Sequence, residues 1–237
     1  MGLPRVSPPG LTQTAHILAV CGMPVEERIV VGARVKAICG SGGPDLLQRL
    51  TSALTDRAQV AAIVSFGIAG GLDPDLRPGT PILAPWVIGR RGRWNADTGW
   101  LQALSELCGN AVCAGIAGSD LPVGTPGDKK LLRESTDAAA VDMESHIVAE
   151  IAAQHGLPFA AIRVVADSAD RHLPEAAMIP LRKNGRPDIV AVLGSLAIRP
   201  GQLPTLVGVA RDVRHALRSL GRIRQDIGGT LACPYIL

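Results

Sequence analysis

AAAVDMESHIVAEIAAQHGLPFAAIRVVADSAD, residues 138–170, is the stretch on which the reading of the fold turns. Residues 138–142 form a short apolar, β-rich run. Residues 144–155 are amphipathic, and residues 158–166 form a second, longer apolar run. Similar runs stand at 16–22, 35–39, 61–66, 80–87 and 111–117, with amphipathic stretches at 45–54, 100–107 and 129–134. Strands that are apolar throughout need cover on both faces, and alternating helices provide it. The pattern predicts a three-layer α/β/α sandwich around a mixed, largely parallel central sheet. In such sheets a ligand lies outside the carboxyl ends of the strands, so chemistry belongs just after each run.

The whole sequence narrows the function classes. With 237 residues, 47% apolar and 19% charged, one large domain over residues 15–237 can bury a sizeable core. Residues 1–14, rich in Pro and Gly, read as a flexible leader without the apolar centre of a signal peptide. A net charge of +3 and 3% aromatics argue against nucleic acid as a partner and favour small-molecule chemistry. Cys21, Cys39, Cys108, Cys113 and Cys233 form no CxxC or Cys/His pattern, which points to buried thiols in a reducing cytoplasm. His146, His155, His172 and His215 have no ligand constellation, so neither a metal nor another cofactor is expected. No run of 18 apolar residues is present to span a membrane.

After Arg171 the chain turns basic, with Arg182, Lys183, Arg186 and Arg199 preceding a helical pattern over residues 204–226. There Leu206, Val209, Val213, Leu217, Leu220 and Ile223 recur near helical spacing among five arginines. One reading packs this helix on the core or on a subunit partner, with its basic side solvated. The other sets the basic side against anionic lipid headgroups, a peripheral membrane contact.

Four segments at strand ends carry polar residues or glycines. In Cys21-Gly22-Met23-Pro24-Val25-Glu26-Glu27, Glu26 is either an acid or base tuned by burial or a first-turn residue favoured by a helix dipole. Ser65-Phe66-Gly67-Ile68-Ala69-Gly70-Gly71-Leu72 reads as a glycine turn after a buried strand, whose backbone N–H groups can approach a ligand. It matches neither a dinucleotide nor a phosphate-loop motif. In Val141-Asp142-Met143-Glu144-Ser145-His146, a carboxylate at a helix start either meets the dipole or accepts both hydroxyls of a ribose diol. In Arg163-Val164-Val165-Ala166-Asp167, the Asp is a helix cap or an acid able to protonate a departing purine.

Together these segments resemble the nucleoside phosphorylase and nucleosidase superfamily, and in particular the methylthioadenosine/S-adenosylhomocysteine nucleosidases. That family's "GAMEEE", "GSAGGL", "VEMEA" and "RAISD" correspond in order to "CGMPVEE", "GIAGGL", "VDMES" and "RVVAD" here. The segments "SFGIAGGLDPDLRPG" and "LAIRPGQLP" resemble the hopanoid-associated members more closely. The resemblance implies cleavage of the N-glycosidic bond of an adenine nucleoside, with adenosylhopane as the substrate that the narrower likeness suggests. It also implies a homo-oligomer, a dimer by default.

By this resemblance Glu26 activates water and Asp167 protonates adenine. Ala69 and Gly70 bring backbone to the substrate, Met143 and Glu144 hold the ribose, and Arg163 supports Glu144 and the nucleophile. Phosphate in place of water requires cationic or hydroxyl partners. Bacterial purine phosphorylases supply them from "GDPLR" and "RVGSCG", whereas this chain has Glu26 and a glycine-rich segment at those places. Hydrolysis is therefore favoured, with phosphorolysis kept as the alternative through Arg90, Arg91 and Arg93. A non-catalytic nucleoside- or lipid-binding module is the third reading. The family's Ser before the catalytic Asp is Ala166 here. Trp86, Trp94, Trp100, residues 173–181 and the C-terminal helix are candidates for an apolar wall facing the 5′ substituent, and His172 for its mouth.

Overall fold

The computed structural model describes residues 15–40, 42–179, 195 and 198–236. The leader at 1–14, Arg182, Lys183, Arg186 and parts of the 173–181 and "LAIRPGQLP" segments lie outside them. The described elements run β1 (His16–Cys21), α1 (Pro24–Val30), β2 (Val35–Cys39), α2 (Gly43–Ala53), β3 (Val60–Gly71), β4 (Pro81–Leu83), β5 (Trp86–Gly89) and β6 (Gly92–Asn95). They continue with α3 (Thr98–Leu107), β7 (Val112–Cys113), β8 (Ile116–Gly118), α4 (Pro126–Thr136), β9 (Ala140–Asp142), α5 (Ser145–Gln154), β10 (Phe159–Asp167) and α6 (Glu175–Met178). The last helix, α7, spans Leu203–Asp226.

All ten described strands join one sheet in the order β6-β5-β8-β9-β3-β10-β4-β7, with β1 also paired to β3 and β2 added beyond it. The pairs β1–β2, β1–β3, β3–β10, β4–β7, β5–β8 and β8–β9 are parallel, and β4–β10, β3–β9 and β5–β6 are antiparallel. The sheet is mixed and largely parallel.

Alternate residues of the central strands serve opposite faces, as the pleat requires. Leu18, Val20, Ile63, Phe159 and Ala161 share a core with Leu46 and Leu50 of α2 and Val148 and Ile151 of α5. Ile17, Ala19, Val64, Phe66, Ala160 and Ile162 share the other with Trp100 and Leu104 of α3 and Ala216, Leu220 and Ile223 of α7. This is the three-layer α/β/α sandwich, and two-sided burial is why its strands read as unbroken apolar runs.

Three features differ from the sequence reading. The glycine segment does not follow a strand: β3 continues through it to Gly71, because Ile68 and Ala69 stay paired with Val164 and Val165 of β10 and Gly70 pairs with Asp167 after a one-residue register shift. The 80–87 run divides into β4 and β5 at Ala84-Pro85, where Pro85 has no N–H to extend a ladder and the chain passes from pairing β10 to pairing β8. The 111–117 run likewise divides, into β7 beside β4 and β8 beside β5.

The helix foreseen at 204–226 is α7. Its apolar side packs on the core, while Arg211, Arg214, Arg218 and Arg222 are exposed. Among the described residues no helix is long and apolar enough to cross a membrane.

Candidate active site

The strand ends converge on one cavity of about 330 Å³, lined among others by Gly22, Met23, Glu26, Ala69, Gly70, Met143, Glu144 and Asp167. Six of the seven residues singled out as site candidates therefore share it. The seventh, Arg163, lies behind the wall.

Glu26 is set by α1. Pro24, with its fixed φ, opens that helix, and Glu26 at its third position turns back to accept the Met23 N–H at 2.8 Å through Oε2. Its Oε1 accepts the Ile68 N–H at 2.8 Å, which ties the carboxyl to β3. Gly67 makes this approach possible: a Cβ there would stand 2.5 Å from both Glu26 Oε1 and Arg163 Nη1. Burial raises the pKa of Glu26, against the pull of Arg163 and of the backbone N–H groups of Ile68, Met23 and Gly22.

Arg163 is wholly buried in the middle of β10. Its Nε lies 2.6 Å from Asp142 Oδ2, and its Nη2 lies 3.5 Å from Glu144 Oε2 and donates to Ser65 Oγ at 2.6 Å. Ser145 places its hydroxyl between Asp142 and Ser65 and donates its N–H to Asp142 Oδ1 at 3.0 Å. Burial opposes the guanidinium charge, but Asp142, Glu144 and Glu26 outweigh it and raise the Arg163 pKa. The guanidinium is thus committed to the protein's own acids. Ser65, Asp142 and Ser145 are members of this cluster that the sequence reading left without a role. Their signal was present, since Ser65 interrupts one buried run and Asp142 and Ser145 stand at the end of another.

Glu144 sits at the start of α5 with 7% exposure. Burial pushes its carboxyl up to about 8, opposed by Arg163 and reinforced by Asp142 and Glu26. Gly22 faces it closely, an added Cβ falling 3.1 Å from Oε1.

Asp167 ends β10, and burial raises its pKa against the pull of Lys129 and Arg171. Lys129, on α4, was read only as part of an amphipathic stretch. It is fully buried and forms an ion pair with Asp167 Oδ2. The available signal was a cation in the early turns of a helix, where the dipole disfavours it.

The remaining wall is apolar, formed by Leu121, Val123, Leu173, Ile179, Val209 and Val213. Residues 173–179 and α7 thus reach the cavity. The three tryptophans do not line it. Trp100 is buried in the core with its indole N–H donated to Leu231 O at 2.7 Å, Trp94 packs against the α2/α5 core, and Trp86 carries Arg93 on its ring at 3.9 Å. His172 is exposed and is not a lining residue. Arg90 and Arg91 face Asp120 and Glu150, and neither they nor Arg93 line the cavity. No group of three His, Cys, Asp or Glu side chains suited to holding a metal occurs among the described residues.

Comparison with known proteins adds independent findings. A family model described as the phosphorylase superfamily matches residues 27–184. A 5′-methylthioadenosine/S-adenosylhomocysteine nucleosidase of Geobacillus thermodenitrificans is 28% identical, the match covering 50% of this chain and 60% of that one. The chain thus spans 60% of the length of this curated relative. Among solved structures, the corresponding nucleosidase of Neisseria meningitidis in complex with methylthio-immucillin-A superimposes with a TM-score of 0.66 at 17% identity, covering 90% of this chain and 97% of that one. Futalosine hydrolase of Helicobacter pylori gives a TM-score of 0.63 at 16% identity, with 90% and 98% covered. These likenesses establish the α/β fold.

Proposed function

The chain belongs to the phosphorylase superfamily, and from that premise we propose that it hydrolyses the N-glycosidic bond of an adenine nucleoside. The observation that carries the proposal is the shared cavity: Glu26, Glu144 and Asp167 all open on one space of about 330 Å³, each with a raised pKa. Glu26 takes a proton from a water that attacks the anomeric carbon. Asp167 gives its proton to N7 of the purine as the bond from the anomeric carbon to N9 breaks, its electron pair moving into the ring. Met143 and Glu144 hold the ribose, the carboxylate accepting its two hydroxyls, and Ala69 and Gly70 bring the β3 backbone alongside. Arg163 orders the carboxyls from behind.

Water is favoured over phosphate because no cationic side chain among the described residues lines the cavity, and Arg163 is already paired with Asp142 and Glu144. An anion in that space would face carboxyls.

For the 5′ substituent we propose an apolar group, adenosylhopane being the substrate in view and hopanoid synthesis the setting. The wall of Leu121, Val123, Leu173, Ile179, Val209 and Val213 supports this choice. The same proposal includes a homodimer, read out by light scattering. It also includes contact of the exposed arginines of α7 with anionic headgroups, read out by vesicle sedimentation.

The test is mass spectrometry of products from adenosylhopane, from methylthioadenosine and from adenosine, with and without phosphate. Free adenine plus the ribosyl product without phosphate is expected, with adenosylhopane turned over fastest. Turnover only with phosphate, giving a ribose 1-phosphate, would refute hydrolysis. Binding without turnover of any substrate would refute the enzyme. A preference for methylthioadenosine would refute the lipid substituent.

A further inference from the structure

Lys129 is the fully buried residue of α4, with 0% exposure. An isolated ammonium in such a place is strongly disfavoured unless it is paired and its donors are satisfied. Here its Nζ has three acceptors for three N–H bonds: the Asp167 carboxylate, Ser168 O at 2.7 Å and Arg171 O at 3.4 Å. Asp167 lines the cavity, whereas Lys129 does not. The lysine therefore reaches a bound molecule only through the aspartate.

We propose that Lys129 is a positioning residue for departure of the base, holding the Asp167 carboxyl on the cavity wall and stabilising the carboxylate left once its proton has gone to the purine. This rests on the reading of Asp167 as the acid. In the step, the Asp167 O–H bond breaks and the N7–H bond forms, while Lys129 keeps its three protons. Asp167 passes from neutral to negative with a fixed positive charge in contact.

Among the described residues, the other charges facing Asp167 are Arg171, on the loop after β10, and Asp212 of α7. Those two pair with each other at 2.7 Å, which leaves Lys129 as the cation in direct contact with the acid. Burial raises the Asp167 pKa and Lys129 opposes the rise, so the ammonium keeps the group acidic enough to release its proton.

The experiment compares wild type, Lys129→Met, Asp167→Asn and the double variant on the adenine nucleoside that wild type cleaves best, following kcat against pH. Lys129→Gln, which retains donors without the charge, takes the place of Lys129→Met if the latter does not fold. Loss of the cation should lower the kcat plateau by about tenfold or more. It should also move the alkaline limb, where Asp167 loses its proton, up by about 1–3 pH units. In the Asp167→Asn background the lysine change should add almost nothing, because there is no acid left to tune.

A fall in kcat with an unmoved limb, or a loss fully additive to that of Asp167→Asn, would overturn the proposal and leave Lys129 a packing residue. No adenine release by wild type would instead overturn the proposed function itself.

Discussion

Gly67→Ala offers a sharp test of how the carboxyl cluster is held. The glycine lies inside β3, at a backbone conformation open to any residue, so the substitution acts through space alone. The new methyl would stand 2.5 Å from Glu26 Oε1, 2.5 Å from Arg163 Nη1 and 2.8 Å from Glu26 Cδ. Ordinary contact needs about 3.5 Å, so both groups must move by about 1 Å. Neither has slack. Glu26 is held by two backbone N–H groups at 2.8 Å each, and Arg163 is held by Asp142 at 2.6 Å. Overpacking of this kind costs about 1–3 kcal/mol. At about 2–4 °C per kcal/mol for a chain of this size, Tm should fall by roughly 2–12 °C. A reacting group displaced by about 1 Å loses about 100-fold in rate. Thermal melting and kcat for adenine release provide the assay, with Gly221→Ala as control. A methyl at Gly221, within α7, meets nothing within 4 Å, so Tm should hold or rise and kcat should not change. If Gly67→Ala kept wild-type kcat and Tm, the account of Glu26 as a rigidly held base would be wrong.

Glu26→Gln should lower kcat by about 10²–10⁴-fold with little change in substrate affinity, as kinetics and calorimetry would report. Arg163→Met leaves Asp142, Glu144 and Glu26 buried without their shared cation and should cost about 3–5 kcal/mol in urea unfolding near neutral pH. That loss should shrink in acid, where the carboxyls carry protons. In wild type, Glu26, Glu144 and Asp167 all have raised pKa values, so the folded chain holds protons that the unfolded chain has released. Stability therefore falls as pH rises from the ordinary carboxyl range to about 8, and Tm measured across that window should decline. Binding of the ribose diol should run the opposite way, tightening as Glu144 ionises through about pH 8, which titration calorimetry would register.

The fold was legible because strands covered on both faces print themselves as continuous apolar runs, and β1 and β10 match such runs closely. Glu26, Glu144 and Asp167 stood out for a related reason, since a carboxyl at the end of a buried run is out of place unless it has work or a partner, but only the resemblance of the four segments to the superfamily chose between those readings. What escaped depends on contacts between distant segments. Lys129 meets Asp167 across 38 positions, and Val209 and Val213 close a cavity whose floor is β3. Composition sends a tryptophan to a ligand wall and to a core with equal ease, and only packing separated the two. The division at Pro85 was written in the sequence, but the change of strand partner that it accompanies was not.

The charge inventory of the cavity gives the proposed chemistry a direction. At the Glu26 and Glu144 end, the three carboxyls of Asp142, Glu144 and Glu26 share the single guanidinium of Arg163. At the Asp167 end, one carboxyl meets one ammonium. Replacing such buried charges with apolar side chains would often leave a fold as stable or more so. Packing alone therefore does not account for them. A surround with more carboxyls than cations favours a sugar that becomes cationic as its bond to the base stretches, and it disfavours a phosphate nucleophile. A balanced pair suits a heterocycle that gains electrons and then a proton, since the carboxylate formed by that transfer already has its counter-charge in contact. The two ends are separated by β3, whose Ile68 N–H serves Glu26 and whose Gly70 lies against Asp167. One strand thus sets the distance between Glu26 and Asp167, the proposed base and acid.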